Sequence, residues 1–311
     1  MENECKQSPE NKNSDENLGF GILMSLVAAT AYGLITTLAK LAYDGGSNAV
    51  SVAGFRALFA IGIGICLSLA LKKQWRISFE GYKDVFWVAI GQTGMGLCYM
   101  ASIQYISVSL GAILFYTYPL IILIVEVLLK RELPGPIRIL AFASAFIGLI
   151  LAIGPSLESL DWRGIVFAFG AALSSTILFF STRRARRHTN EIALLIWANI
   201  VGLPIIGVGS LFMGGFHMPE TTLGWSGLIM ASAMFALAFT TYSISMRHIA
   251  PVRASMFYNA EPLVSIIAAC VILGEILSPV QISGATLVIA ALVITAWRGQ
   301  HQAQLSKSGA P

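Results

Sequence analysis

Charged residues are scarce in this chain of 311 residues. Only 12% are charged, whereas 56% are hydrophobic and the mean hydropathy is +0.74. A typical soluble domain carries about 25% charged residues. No polar stretch is long enough to form a separate soluble domain. The composition therefore excludes a water-soluble fold and predicts an all-α integral membrane protein.

Histidine and cysteine are also rare, with four of each. The histidines fall in predicted loops, at helix ends or in the C-terminal tail, and the HExxH, GxSxG and GxGD motifs of membrane enzymes are absent from the sequence. The cysteines lie in apolar segments or in the N-terminal tail, which is not the pattern of a disulfide framework. We therefore predict no enzyme activity, no metal site and no cofactor.

Apolar segments of about 20 residues, enough to cross a hydrocarbon core of about 30 Å, are abundant. Residues 1–17 lack such a segment and the features of a signal peptide, so they are predicted to form a disordered tail. Residues 299–311 form a second polar tail. The ten predicted spans lie near 18–42, 49–71, 85–105, 108–129, 136–154, 163–182, 190–213, 223–246, 251–273 and 279–297.

The chain repeats itself at an offset of 143 residues, without a gap from about residue 82 to 150. A match of prolines and glutamates, and not only of apolar residues, indicates a duplicated unit. Five spans in each copy would place the second copy upside down in the membrane. The prediction is a 5+5 inverted repeat, residues 18–155 and 156–298, as in many secondary transporters. Matched pairs include Tyr99 and Tyr242, Pro119 and Pro262, and Glu132 and Glu275.

Basic residues predict the orientation. Of the 20 Lys and Arg residues, all but Lys40, Arg56 and Arg163 fall in the tails or in connections expected on one side. The positive-inside rule then places both termini in the cytoplasm of a cell membrane, the inner membrane in a bacterium. The basic run at 183–187 lies between two predicted spans, so we interpret it as a topology determinant and expect no nucleic-acid partner.

Pro119 and Pro262 each lie 11 residues into a predicted span, about 16 Å deep at 1.5 Å per residue. A proline inside a helix removes a hydrogen bond and kinks the helix. Broken helices are tolerated in a membrane where they face protein or a wet cavity. Ordinary membrane-helix prolines are the alternative, but the equivalent positions favour two hinges beside a central site.

Aromatic and polar side chains gather at the same depth. A single hydroxyl is usually satisfied by its own helix, whereas a cluster of Tyr, Trp, Asn and Gln needs partners or water. Aromatic walls with a few polar groups suit a small organic ligand. The predicted substrate-binding residues are Tyr32, Arg56, Gln92, Tyr99, Tyr116, Tyr118, Trp197, Asn199, Tyr258, Asn259 and Glu261.

Two of these residues are ionisable. A charge at the bilayer centre costs at least about 2.5–3.5 kcal/mol, so such residues tend to be functional. Glu261 is a candidate to carry a coupling proton or to bind a cationic substrate group; a structural bond to a carbonyl freed by the kink is the alternative. Arg56, about 10 Å deep at the helix rise, either meets a substrate anion or snorkels to the interface.

Two segments resemble the homologous segments of EamA-type transporters of the drug/metabolite transporter superfamily. They are FYTYPLIILIVEVLLKREL, from residue 115, and YNAEPLVSIIAACVILGEIL, from residue 258. GFRALFAIG, from residue 54, resembles the Arg-containing second helix of the same proteins. Lys-Arg-Glu at 130–132 departs from the usual Gly-Glu. The resemblance covers about residues 18–298 and implies ten helices in a five-plus-five inverted repeat, with export of small metabolites, amino acids or drugs.

Several functions remain open on the sequence alone. A channel is one, and a nucleotide-sugar or sugar-phosphate exchanger is the main alternative within transport. Such polyanions would meet only Arg56 and Lys40 inside the membrane, so an amphipathic or zwitterionic metabolite fits the aromatic lining better. We therefore predict a secondary exporter of small organic metabolites that works by alternating access in the lipid bilayer, with the proton as a candidate coupling ion.

Overall fold

The computed structural model describes residues 9–77, 79–102, 105–106, 108–130, 135–153, 161–212, 214–273, 278–280, 282–284 and 286–291. Over these residues the chain is helical and contains no strand, which confirms the all-α prediction. The helices are α1 Pro9–Asp44, α2 Ala49–Ala70, α3 Phe79–Ser102, α4 Val108–Phe115, α5 Tyr118–Lys130, α6 Pro136–Ile153, α7 Trp162–Ala185, α8 Glu191–Phe212, α9 Thr222–His248, α10 Pro251–Tyr258 and α11 Ala260–Leu273. Helical residues follow at 279–280, 282–284 and 286–291.

Six helical stretches within the described residues are long and apolar enough to cross a membrane. They are Leu18–Asp44, Ala49–Ala70, Gly111–Leu129, Trp162–Ala185, Glu191–Phe212 and Thr222–His248. Shorter apolar helices lie at Ile139–Leu151 and Ile282–Ala291. The chain is a multi-pass membrane protein, and the count of ten spans stays a prediction.

α1 begins at Pro9, inside the segment that was expected to be a disordered tail. Proline suits the first helical turn because its missing N–H would have no partner there. Once a helix has formed, each added residue gains one hydrogen bond, so polar residues extend it readily. The structure therefore differs from the predicted disorder over residues 9–17. Residues 1–8 and 299–311, like Glu132 and Glu275, lie outside the described part of the chain.

The long helices pack in pairs drawn from the two halves of the chain. α1 packs along α9, α3 along α7, and α2 against α8. At the 143-residue offset α1 corresponds to α7, α2 to α8 and α3 to α9. Exchanging the two halves therefore converts the α1–α9 contact into the α7–α3 contact. The same exchange leaves the α2–α8 contact unchanged. A two-fold relation between the halves would produce this pattern.

Two apolar segments are interrupted rather than merely kinked. α4 ends at Phe115 and α10 ends at Tyr258, each four residues before the proline of its segment. Proline has no N–H to bond the carbonyl four residues earlier, so the helical ladder stops there. The Thr117 hydroxyl donates to the Leu114 carbonyl, in the last turn of α4, at 2.6 Å. The two interruptions lie 143 residues apart.

Glycines set the closest approaches between helices. A Cβ atom at Gly33 of α1 would lie 2.6 Å from the carbonyl oxygen of Glu261 in α11. A Cβ atom at Gly91 of α3 would lie 2.7 Å from the backbone nitrogen of Leu178 in α7. Both distances are too short for a real side chain. Gly33 therefore lets the first turn of α11 sit directly against α1, which fixes the position of Glu261.

The connections 45–48 and 71–77 mark opposite ends of α2 and hence of the molecule. At one end, Asn48 Nδ2 donates to the Gly215 carbonyl at 2.8 Å. At the other, Asn190 Nδ2 donates to the Gln74 carbonyl at 2.6 Å. We call the end formed by 45–48 and 214–221 the open end, and the end formed by 71–77 and 186–190 the closed end.

Candidate functional site

A central cavity of about 220 Å³ lies among α1, α2, α3, α7, α8, α9 and the two interrupted helices. Its walls reach Tyr43 and Ala49, which flank the 45–48 connection. Among the described residues, none from 71–77 or 186–190 lines it. The cavity therefore communicates with the open end and stops short of the closed end.

Nine of the eleven predicted binding residues line this cavity. Sequence reasoning did not select five further aromatic residues of the lining, Tyr43, Phe115, Phe179, Phe235 and Tyr242. Two of these residues were predictable from the repeat, because Tyr242 matches Tyr99 and Phe115 matches Tyr258 at the 143-residue offset. The predicted residues in the lining are Tyr32, Arg56, Gln92, Tyr99, Tyr116, Tyr118, Asn199, Tyr258 and Glu261.

Trp197 and Asn259 do not line the central cavity. The Trp197 indole donates to the Trp75 carbonyl at 2.8 Å and stacks on the Trp75 ring with centroids 6.1 Å apart. It belongs to the closed end, in keeping with the preference of tryptophan for an apolar body and a polar tip. Asn259 is buried in the interruption between α10 and α11, and both Pro119 and Pro262 are buried behind the lining.

Glu261 provides the acidic group of the cavity. It lies in the first turn of α11, where free backbone N–H groups favour a negative charge. Tyr116, at the interruption in the other repeat, interacts with its carboxylate. The carboxylate is thus oriented by α11 and by Tyr116, with part of its surface left to the cavity.

Arg56 provides the basic group. Its guanidinium carbon lies 4.6 Å from the centroid of the Phe235 ring, a cation–π contact. Its Nε atom is buried and has no hydrogen-bond partner within the described residues. The guanidinium therefore faces the cavity, and snorkelling toward the interface does not describe it.

An amide pair completes the polar wall. Gln92 Nε2 donates to Asn199 Oδ1 at 3.2 Å, and Asn199 Nδ2 donates to the Leu195 carbonyl at 2.7 Å. Gln92 Oε1 is buried without a partner among the described residues.

Four rings separate the cavity from the closed end, and we call Tyr118, Phe179, Tyr242 and Tyr258 the aromatic floor. Phe179 contacts the other three with centroid distances of 5.2 to 5.4 Å, and Tyr242 meets Tyr258 edge to face at 5.5 Å. Within the described residues, the hydroxyl of Tyr258 has no hydrogen-bond partner. Beyond the floor lies Ser243, whose buried hydroxyl is likewise unpartnered there.

Ionic contacts join the connections of the closed end. Glu191, the first residue of α8, forms salt bridges with Lys73 and, at 2.9 Å, with Arg186. Burial lowers the pKa of Arg186, and the Glu191 carboxylate opposes this shift. Arg183 donates to the carbonyls of Met246 and Ile249 and so caps the end of α9. We call Lys73, Arg183, Arg186 and Glu191 the closed-end network.

Known proteins resemble this chain along most of its length. The threonine/homoserine exporter RhtA of Escherichia coli K12 is 25% identical over 250 residues, covering 78% of this chain and 81% of that protein. The protein of the same name from Salmonella typhimurium LT2 is 23% identical over 278 residues, with coverages of 87% and 89%. An uncharacterized transporter of Archaeoglobus fulgidus is 26% identical over 202 residues, with coverages of 64% and 71%.

A solved crystal structure shares the fold. It superposes with a TM-score of 0.74 over 89% of this chain and 98% of its own, at 15% sequence identity. The profile of the EamA-like transporter family matches twice in succession, over residues 19–154 and 162–297. Since these matches cover most of the sequence, the chain belongs to the EamA-like transporter family and is a membrane transporter, not an enzyme.

Proposed function

We propose that this protein is a secondary exporter of amino acids and related small amphipathic metabolites, working by alternating access around the central cavity. One observation carries the proposal: a cavity that is open at one end holds Arg56 and Glu261 among aromatic rings. The relatives described as threonine/homoserine exporters support the same substrate class. The nine predicted residues of the lining are the proposed binding residues.

The size of the cavity supports a small substrate. Its volume of about 220 Å³ is below the roughly 300–1,000 Å³ of pockets for drug-sized ligands. A nucleotide sugar needs more room and several cations, and Arg56 is the single basic residue of the described lining. The exchanger of nucleotide sugars is therefore the weaker candidate.

We propose ten spans in a 5+5 inverted repeat, with repeats at 18–155 and 156–298. The interruptions 143 residues apart and the exchanged contacts α1–α9 and α3–α7 support this arrangement. Pro119 and Pro262 would be hinges at equivalent points of the two repeats, where α4 can tilt on α5 and α10 on α11.

The proposed orientation places the closed end and both termini in the cytoplasm, because the connections 71–77 and 186–190 are rich in Lys and Arg. The central cavity then faces outward. Export requires the closed-end network and the aromatic floor to separate so that substrate enters from the cytoplasm, after which both re-form. A channel would not require one end to close before the other end opens. Glu261 is the candidate carrier of a coupling proton.

Transport by purified protein in liposomes tests the function. We expect saturable efflux of L-threonine or L-homoserine, accelerated by unlabelled substrate on the opposite side, as alternating access requires. Protein-free liposomes give the background. Unitary conductance without counterflow would establish a channel, and uptake of a nucleotide sugar without amino-acid transport would establish the exchanger; either result overturns the proposal.

A further inference from the structure

We infer that the central cavity recognises a free α-amino acid by both of its charges, with Arg56 binding the carboxylate and Glu261 binding the ammonium. This inference rests on the proposed export of amino acids and adds the side chains that select the substrate. It makes the cavity a site for zwitterions, and not for small amphipathic molecules in general.

The geometry of Arg56 suits a carboxylate. A guanidinium presents a planar fork of donors that matches the two oxygens of a carboxylate. The Phe235 ring lies against one face of the guanidinium, with the guanidinium carbon 4.6 Å from the ring centroid, so the donor edges stay free. The Nε donor has no partner among the described residues. A substrate carboxylate bound at the guanidinium would neutralise its charge.

Glu261 suits an ammonium group. An ammonium donates three hydrogen bonds and accepts none, so it needs acceptors and a negative charge. The Glu261 carboxylate, which belongs to the cavity lining, supplies both. Tyr116, which interacts with Glu261, lines the same cavity.

The two charged groups share one cavity without pairing. No salt bridge joins Arg56 to Glu261 in the described structure. Between them lies Tyr32, which interacts electrostatically with both groups. Its ring contacts Phe235, beside Arg56, at 6.4 Å, and Tyr258, three residues before Glu261, at 6.1 Å.

Separated opposite charges in a cavity of low dielectric favour a ligand that carries both signs. Burying an unpaired charge costs free energy, and a zwitterion would compensate both charges at once. A simple amine or a simple acid would compensate one and leave the other unpaired. One wall of the lining, formed by α3, contains Met95, Leu97 and Met100. Methionine adapts to irregular shapes, so this wall would accept side chains of several sizes.

A comparison of three substrates with two variants tests the assignment. The substrates are L-threonine, L-threoninamide, which lacks the carboxylate, and 2,3-dihydroxybutanoate, which lacks the ammonium. Wild-type protein should prefer threonine to either analogue by roughly tenfold or more, because each analogue leaves one charged group unsatisfied. Ratios between substrates are the readout, since partial loss of folded protein leaves a ratio unchanged.

Each of the two variants is expected to change one substrate preference and to keep the other. Arg56→Gln should reduce the threonine-to-threoninamide preference to about one while keeping the preference over dihydroxybutanoate. Glu261→Gln should do the reverse. Arg56→Lys, which keeps the charge but loses the fork, should recover part of the preference. Lys40→Gln and Glu126→Gln remove matched charges outside the lining and should leave both ratios unchanged.

Two outcomes overturn the inference and are distinguishable. If wild-type protein exports other metabolites but no amino acid, the proposed function fails and the inference fails with it. If wild-type protein exports threonine but Arg56→Gln and Glu261→Gln shift all three substrates equally, the proposed function stands and only the two-charge recognition is wrong.

Discussion

Arg186 and Glu191 form a salt bridge of 2.9 Å in which the arginine side chain is only 3% exposed. Since Lys73 contacts the same carboxylate, one acidic group joins the connections on both sides of the closed end. Breaking a buried ion pair by removing one partner is far more damaging than losing an exposed pair, which contributes about 0–1 kcal/mol.

We therefore expect Glu191→Gln to favour opening of the closed end by at least about 1 kcal/mol. Ser243→Cys, placed behind the aromatic floor in a cysteine-free background, should then react with a maleimide about fivefold faster or more. Asp84→Asn is the matched control because it removes the more exposed pair with Arg184, and it should change the rate by less than about twofold. Equal rates in both variants would show that the network does not hold this end closed.

Pro119→Ala and Pro262→Ala should slow transport by roughly tenfold or more, because an alanine N–H allows the interrupted helix to continue and moves the rings at the break. Membrane insertion and yield should change little. Pro204→Ala is the control, since Pro204 lies within α8 without interrupting it. Liposome transport rates at equal protein provide the measurement. Wild-type rates in both variants would make the two interruptions incidental to transport.

Gly33→Ala should destabilise the protein by about 1–3 kcal/mol, because its Cβ atom overpacks the contact between α1 and α11. It should also impair transport by displacing Glu261. Gly62→Ala, where a Cβ atom would meet nothing within 4 Å, should be neutral or slightly stabilising. Thermal unfolding in detergent compares the two. Matching stabilities would contradict the close approach at Gly33.

Orientation is tested by single cysteines at two exposed positions in a cysteine-free background. An impermeant maleimide added to intact cells should label Glu220→Cys at the open end and spare Arg76→Cys at the closed end. Permeabilised cells, in which both should react, provide the control. The opposite pattern would place the closed end outside and make the cavity face the cytoplasm.

The two interruptions and most of the lining were predictable from the sequence. A proline interrupts the helix in which it lies, and the same pattern of residues occurs in both repeats. Trp197 was placed at the wrong depth. Its partner Trp75 comes from a connection 122 residues away, and such a contact leaves no local pattern. For the same reason the Arg56–Phe235 contact was not predictable. From the sequence alone, an arginine in an apolar segment is equally consistent with snorkelling, because the sequence does not show which ring it contacts.

Among the described residues, the buried hydroxyls of Tyr258 and, behind the floor, Ser243 have no hydrogen-bond partner, so the closed floor is not fully stabilised. Each buried hydroxyl without a partner costs roughly 1–3 kcal/mol, and water entering from the opened closed end would recover that cost. The floor thereby offsets part of the stability that the closed-end network contributes. Two conformations held near balance in this way can be interconverted by a ligand whose affinity for the two differs by only a few kcal/mol, within reach of a molecule as small as an amino acid.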